Sequence, residues 1–311
     1  MRTFLNCDCF DFLRTIPTDS VDVILTDPPY YKIVKNDWDN QFLSMEHFQR
    51  WCECLAVEFA RVLKPNGSFF WFGDDKNIAY CQVVFDKYFN LLNNLVWEKT
   101  NFITLKGCKN VFQSFAPITE RCLFYEQFER KRYSQVKTYM RSQKNLIMTE
   151  KGFKTVKEFN SFVDDLTNTK SVVSRHYFAD SQYAFPTKEL YEKLQKSGFF
   201  KMPYDELKAI YTAESRVWNN ERGAADVLKF APYQKTDKFH PTQKSVELIK
   251  YLIERTTNKG DIILDCFAGS GTTGVAAVEL GRDYLLCEKN TVYFEKAKKR
   301  IEEADRQKIL L

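Results

Sequence analysis

The stretch from Asp261 to Glu288 constrains the fold more than any other part of the chain. Asp261-Ile-Ile-Leu-Asp265 is a short apolar run that reads as a strand, and Phe267-Ala268-Gly269-Ser270-Gly271-Thr272-Thr273-Gly274 follows it at once. Thr272 to Leu280 then reads as a helix, and Arg282 to Glu288 as a second strand. Such a β-α-β unit calls for a parallel sheet covered by helices. The G-x-G-x-x-G spacing falls at the strand-to-helix turn, where glycines let backbone approach a bound nucleotide closely. Glu288 stands nineteen residues after Gly269, at the end of the next strand, in position to accept hydrogen bonds from a ribose diol. Two rival readings are a tight turn without a ligand and an NAD site. The second is disfavoured because little chain follows for the other half of a dinucleotide-binding sheet.

Alternation of strand and helix recurs near the start. Val21 to Thr26 reads as a buried strand ending at Pro28-Pro29. His47 to Leu63 has helical spacing, Lys64-Pro-Asn-Gly67 reads as its stop, and Ser68 to Phe72 as the next strand. Asn77 to Phe89 reads as a helix and Leu91 to Trp97 as a third strand. From about Gln127 to Asn220 the alternation weakens, and polar helical patterns such as Thr187 to Ser197 and Tyr204 to Glu214 take over. Ser245 to Thr256 reads as a helix leading back into the glycine unit. The expectation is an α/β, mainly parallel, doubly wound sheet built from both ends of the chain. Its expected segments are 1–125, an insertion over 126–225, and 226–311.

The tetrapeptide Asp27-Pro28-Pro29-Tyr30 closes the first strand, at the sheet end where α/β folds bind ligands. Consecutive prolines fix φ and remove two backbone donors, leaving a stiff loop with exposed carbonyls. An exocyclic amino group on a nucleobase is a poor nucleophile, because its lone pair is delocalised into the ring. Two acceptors on its hydrogens, the Asp27 carboxylate and the Pro28 carbonyl, would restore its nucleophilicity. Tyr30 would stack on a base taken out of the duplex.

Composition narrows the alternatives. Nine cysteines include no Cys-x-x-Cys pair, which argues against a zinc site, and their odd number argues against a disulfide framework. No Pro precedes a Cys, so the nucleophile of cytosine-C5 methyltransferases is missing. Neither a secretory leader nor an apolar run long enough to span a membrane is expected, which leaves the cytoplasm as the default location. Net charge is +5, yet residues 99–160 alone carry thirteen Lys/Arg against five Asp/Glu. Basic and aromatic side chains interleave there, as in Arg130-Lys131-Arg132-Tyr133, a pattern suited to a polyanion with stackable bases. A solvated basic face is the bland alternative.

Taken together, Asp27-Pro28-Pro29-Tyr30 far upstream of Phe267-Ala268-Gly269-Ser270-Gly271 resembles the β class of DNA amino-methyltransferases, whose motif order is circularly permuted. His240-Pro-Thr242-Gln-Lys244 resembles the block that this family carries before the glycine turn. Asn6-Cys-Asp8-Cys9 resembles its N-terminal segment, and Tyr204 to Lys208 with Arg216 to Asn219 a stretch found in some members. Ser245 departs from the pattern, since many members have Pro there.

The resemblance implies a Rossmann-like methyltransferase fold with an inserted target-recognition region. It also implies transfer of a methyl group from S-adenosylmethionine to N6 of adenine in DNA, Asp in place of Ser at the first motif position favouring adenine. It implies catalysis by Asp27, Pro28, Pro29 and Tyr30. The implied cofactor set is Asp8, Cys9, His240, Thr242, Lys244, Asp265, Phe267, Ala268, Gly269, Ser270, Gly271, Thr272, Thr273 and Glu288, with no metal. DNA contacts are expected at Lys32, Lys35 and Trp38, if residues 31–39 form a loop closing over the duplex rather than a plain surface loop, and at Arg130, Lys131 and Arg132. A homodimer and a companion restriction endonuclease are the further partners such enzymes take. The readings left open are cytosine-N4 methylation, methylation of RNA, and a non-catalytic DNA-binding subunit.

Overall fold

The computed structural model describes residues 1–33, 39–100, 118–128, 134–169, 176–179, 183–219, 223–232, 239–240 and 242–309. The chain forms two compact units, one of residues 1–127 and 216–311 and one of residues 128–215.

The first unit is organised by one eight-stranded sheet. Its strands are β1 (Arg2–Leu5), β2 (Val21–Thr26), β3 (Leu63–Gly73), β4 (Phe89–Lys99), β5 (Thr119–Gln127), β6 (Val227–Phe230), β7 (Ile262–Asp265) and β8 (Asp283–Cys287). Their order across the sheet is β1-β8-β7-β2-β3-β5-β4-β6. Every neighbouring pair is parallel except the two that β5 makes with β3 and β4. The sheet is therefore mixed but mostly parallel. The strand β5 and the two edge strands, β1 and β6, lie outside the strands read from sequence.

Alternation along the strands explains how the sheet is covered. Ile24, Phe69, Trp71, Leu123 and Tyr125 face a core shared with α1 (Cys9–Thr15), α2 (Met45–Val62) and α3 (Ile78–Phe85). Their sequence neighbours Val23, Leu25, Phe70, Phe72, Cys122 and Phe124 face the opposite core. There they meet α8 (Val246–Thr256) and α9 (Thr272–Leu280). Burial on both faces is why Ser68-Phe-Phe-Trp-Phe72 is an unbroken apolar run. Across the central pair, the Phe70 and Phe124 rings stack with centroids 4.4 Å apart.

Two local departures from the sequence reading have simple causes. The stop at 64–67 does not form a separate turn. The helix α2 hands directly to β3, and the extra residues are absorbed as a register shift between Val21↔Leu63 and Val23↔Ser68. Lys64 anchors this region through an ion pair with Asp22 at 2.7 Å. The helix read as reaching Phe89 ends at Phe85, and Phe89 already belongs to β4. At the far edge α10 (Thr291–Ile309) packs Ile301 against Ala268 and Val275.

The second unit is helical. Among its described residues are α4 (Ser134–Glu150), α5 (Val156–Thr167), α6 (Lys188–Gln195) and α7 (Tyr204–Glu214). Thr155 and Glu158 form a capping box at the start of α5. Val136, Met140, Ile147, Phe159, Val163, Tyr191, Leu194 and Leu207 make a core of its own. No described helix of the chain is long and apolar enough to cross a membrane.

Candidate active site

The carboxyl ends of β1, β8, β7 and β2 lie side by side, so the loops leaving them converge. Register sets the meeting of the two principal motifs: Val23 pairs with Ile263 and Ile24 with Leu264. Asp27 and the turn 267–273 thereby line one pocket, despite more than two hundred residues of separation. Leu25, Phe72, His240, Thr242, Lys244 and Asp265 complete most of its wall.

Asp265 ties the two loops together. Its carboxylate accepts from the Thr26 hydroxyl (2.8 Å), the Thr273 hydroxyl (2.6 Å) and the Phe267 amide (3.0 Å). Burial raises its pKa to about 6, against the pull of those three donors.

The glycine turn is built largely from backbone. Gly269 has φ +50° and Gly271 φ +73°, conformations that cost an L-residue of ordinary type roughly 1–2 kcal/mol. A Cβ at Gly271 would stand 3.0 Å from the Ala297 Cβ, whereas one at Gly269 would only touch the His240 ring at 3.4 Å. Glu288 Oε2 accepts from the Gly269 amide at 2.8 Å and Oε1 from the Asn290 amide at 2.8 Å. Burial raises the Glu288 pKa. Asp8 caps α1 by accepting from the Phe10 amide at 3.0 Å, and it pairs with Lys289 at 3.1 Å. Cys9 opens that helix, buried. The His240 ring lies edge-on to Tyr293 with centroids 4.3 Å apart, and the Thr242 hydroxyl is 3.2 Å from His240 Nδ1. Ser270 and Thr272 share a hydroxyl contact at 3.0 Å. Arg300, unmarked in the sequence, donates to the Ser270 carbonyl and the Thr272 hydroxyl, both at 3.1 Å. A carboxylate at a strand end, a glycine turn beside it and the amino end of α9 together suit a nucleoside carrying a ribose diol.

The Asp27 corner is built from side chains. The Tyr30 hydroxyl donates to Asp27 Oδ1. Lys244, with only 6% of its side chain exposed, sends its ammonium into this corner. It lies 2.8 Å from Asp27 Oδ2, 2.9 Å from the Tyr30 hydroxyl and 3.0 Å from Glu120 Oε2. Glu120 on β5 pairs in turn with Lys99 on β4 at 2.5 Å. Burial pushes the Asp27 carboxyl upward and Glu120 adds to this, while Lys244 and Tyr30 oppose it. Burial alone would lower the Lys244 pKa, but Asp27 and Glu120 reverse that and hold the ammonium charged. Burial also works to raise Glu120, yet Lys244 and Lys99 bring it below its ordinary range.

Lys244 thus faces both parts of the pocket, lining it beside the glycine turn while its ammonium reaches the Asp27 corner. Its carbonyl lies 3.4 Å from the Thr272 hydroxyl on the glycine-turn side, while its charge is spent on Asp27. Tyr30, expected to stack on a base, holds Asp27 through its hydroxyl in this arrangement.

Two other residues shape the loop, and sequence reasoning missed both. The buried Asp39 carboxylate accepts from the amides of Tyr30 (2.6 Å), Tyr31 (3.0 Å) and Ile33 (2.6 Å). Asn77 donates to the carbonyls of Tyr30 (2.7 Å) and Tyr31 (2.8 Å). These bonds hold Tyr31 and Lys32 at φ +68° and +60°. The start of the stretch read as a closing loop is therefore fastened down. Lys32 is exposed, with its ammonium 4.9 Å from the Tyr31 ring centroid. Lys35, Trp38, Arg130, Lys131 and Arg132 lie outside the described residues. Nothing local marks Asp39, Asn77, Glu120 or Lys99, since each is a single polar residue whose partner is set by the fold.

Comparison with known proteins shows the family. A family model described as DNA methylase, of the N6/N4 type, matches residues 21–299. The Type II methyltransferase M2.DpnII of Streptococcus pneumoniae is 27% identical over 318 aligned residues, covering 96% of this chain and 88% of its own length. A crystal structure of the M1.HpyAVI–SAM complex superposes with a TM-score of 0.55 at 20% identity, covering 97% of this chain and 99% of the other. The cytosine-N4-specific PvuII DNA methyltransferase gives the same TM-score at 13% identity, covering 98% and 91%. Those two likenesses concern the fold.

Proposed function

The chain belongs to the DNA methylase family, and from that premise we propose that it is a site-specific DNA methyltransferase acting on N6 of adenine. The observation that carries the reading is the convergence of Asp27 and the glycine turn on one pocket. Glu288, Asp8 and the backbone of 267–273 would hold S-adenosylmethionine, which would supply a methyl group on a positively charged sulfur. The M1.HpyAVI protein was crystallised with that molecule, which supports the assignment.

Asp27 and the Pro28 carbonyl accept hydrogen bonds from the exocyclic amine of a flipped base and draw its lone pair out of the ring. Methyl transfer to that lone pair would leave the cofactor sulfur as a neutral thioether and the amine nitrogen with one proton too many. The nitrogen then sheds one proton to the Asp27 carboxylate, which passes it to solvent. Tyr30 must leave its hydroxyl bond to Asp27 in order to stack on the base. Asp at position 27 supports adenine over cytosine, while the PvuII likeness means that the fold is neutral on this point.

The helical unit at 128–215 serves as target-recognition region, and Arg130, Lys131 and Arg132 meet DNA phosphates. Lys32, Lys35 and Trp38 contact DNA beside the catalytic loop. Replacing the basic triplet by Ala should flatten the log–log salt dependence of DNA binding by as much as about 2.7, at roughly 0.9 per phosphate lost. The chain works in the cytoplasm, in a restriction–modification setting with a companion endonuclease. It pairs as a homodimer. Long-read sequencing of DNA from cells expressing the chain tests the main reading. N6-methyladenine within one short sequence context supports it. N4-methylcytosine there, or unmodified DNA, overturns it.

A further inference from the structure

The most unusual feature of the site is a row of four alternating charges running inward from the catalytic carboxylate. Asp27 meets Lys244, Lys244 meets Glu120, and Glu120 meets Lys99, at 2.8, 3.0 and 2.5 Å. The four come from the loop after β2, the segment before α8, and strands β5 and β4. Lys244 is the centre. Its ammonium donates to the Tyr30 hydroxyl and lies at ion-pair distance from the carboxylates of Asp27 and Glu120. The rings of Phe72, Tyr30 and Trp97 surround its ammonium at 5.2, 5.4 and 5.9 Å. Glu120 Oε2 has no well-angled hydrogen bond, so it is tied to Lys244 by charge.

We propose that Lys244 is a positioning residue that keeps Asp27 in its carboxylate form for amine activation, and that Glu120 and Lys99 tune the strength of that hold. The proposal rests on the catalytic role assigned to Asp27 above. A protonated Asp27 would turn one of its oxygens from acceptor to donor and could no longer draw on the hydrogens of the amine. A buried carboxylate without a counter-charge tends toward that protonated form. Lys244 supplies the counter-charge. Glu120 competes for the same ammonium and weakens its effect on Asp27. Lys99 competes for Glu120 and restores part of it. With all four ionised the row is neutral, which is what lets two carboxylates and two ammoniums sit with at most about a fifth of each side chain exposed.

The other titratable groups around Asp27 do not reproduce this pattern. On its own loop Tyr30 donates to it, and burial holds that phenol well above its ordinary range, so it stays neutral. Cys122 on β5 is likewise pushed up by burial and carries no charge. Asp265 on β7 acts on Asp27 as a like charge once ionised. His240 lines the same pocket, with Nδ1 facing the Thr242 hydroxyl.

Alternation of sign gives a test that mere packing could not imitate. The Asp27 carboxyl is followed by 13C NMR titration of the full chain without cofactor, in wild type, Lys244→Met, Glu120→Gln and Lys99→Met. The inference expects the Asp27 midpoint to move upward in Lys244→Met, downward in Glu120→Gln, and upward by a smaller step in Lys99→Met. The acid limb of the pH profile for methyl transfer should move in the same three directions. At neutral pH kcat of Lys244→Met should fall by at least about tenfold, with the KM for S-adenosylmethionine changed less than about threefold. Should Lys244→Met not fold, the opposite shifts of Glu120→Gln and Lys99→Met still decide the matter. Midpoints that coincide with wild type, or that all move one way, overturn the inference even where the chain methylates DNA. A wild-type chain that titrates as expected but methylates no DNA overturns the catalytic role assigned to Asp27, and leaves the charge row standing as a purely structural device.

Discussion

The two sides of the pocket are made of different materials. On the glycine-turn side the contacts come from main-chain groups of a contiguous stretch, braced by Glu288 and Arg300. On the Asp27 side they come from charged side chains on four separate elements. A backbone turn depends on shape, and a Cβ at a left-handed, tightly packed glycine such as Gly271 spoils it. A side-chain corner depends on charge balance in a place with little water, and shape-preserving substitutions spoil it instead. One pocket can therefore be broken by two kinds of change that leave each other's side intact.

The largest effect is expected on the charged side. Asp27→Asn keeps the volume and removes the carboxylate, and should lower kcat by roughly 100–1000-fold, as the loss of one transition-state contact does. Affinity for S-adenosylmethionine by calorimetry should stay within about threefold. A comparable loss of affinity would show that the two sides are not separable.

Next comes Glu288→Gln, which keeps one acceptor oxygen but loses the negative charge and sets an NH2 group where the second oxygen accepted from a backbone amide. Cofactor binding should weaken by about 1–3 kcal/mol, with kcat at saturating cofactor much less affected. Unchanged affinity would remove Glu288 from the cofactor site.

The backbone side is probed most directly by Gly271→Ala. A left-handed φ and a Cβ against Ala297 should lower unfolding free energy in urea by about 1–2 kcal/mol. The same Ala substitution at exposed Gly152, also at positive φ but with open space around it, supplies the control for backbone strain alone.

The last prediction tests the residue that joins the sides. The Asp265 carboxyl is raised from 3.8 to about 6, so between those values the folded chain binds a proton that the unfolded chain has released. Its contribution to stability must then decline as pH rises from about 4 to about 6 and stay level above that. Asp265→Asn should remove this slope. If stability measured by urea unfolding shows the same pH dependence in variant and wild type, burial does not govern Asp265.

The same contrast explains what could be read in advance. The turn at 267–274 and its helix and strands were legible because period, glycine spacing and distance to Glu288 are all local. Thr272–Leu280 forms as a helix over the residues that its pattern indicated. Asp27-Pro28-Pro29-Tyr30 was legible for a similar reason, four contiguous residues at the end of an apolar strand. In the middle of the chain the pattern of Tyr204 to Glu214 sufficed for its helix, but α4 and α5 escaped notice. Their apolar residues face a small core within the insertion and are diluted by lysines and polar residues.

Strand β5 was missed because Thr119-Glu-Arg121 begins polar and its pairing runs against the rest of the sheet. With it went Glu120, and with Glu120 the charge on Lys244. By itself the sequence determined the α/β class, the order of the two motifs and the backbone cradle for a nucleotide. Only the tertiary structure decided that Lys244 reaches Asp27, that Glu120 and Lys99 stand behind it, and that Asp39 and Asn77 lock the loop. The physical reason is range. A turn's conformation is encoded by its own residues, whereas an ion pair between positions 27 and 244 is encoded by every strand that lies between them.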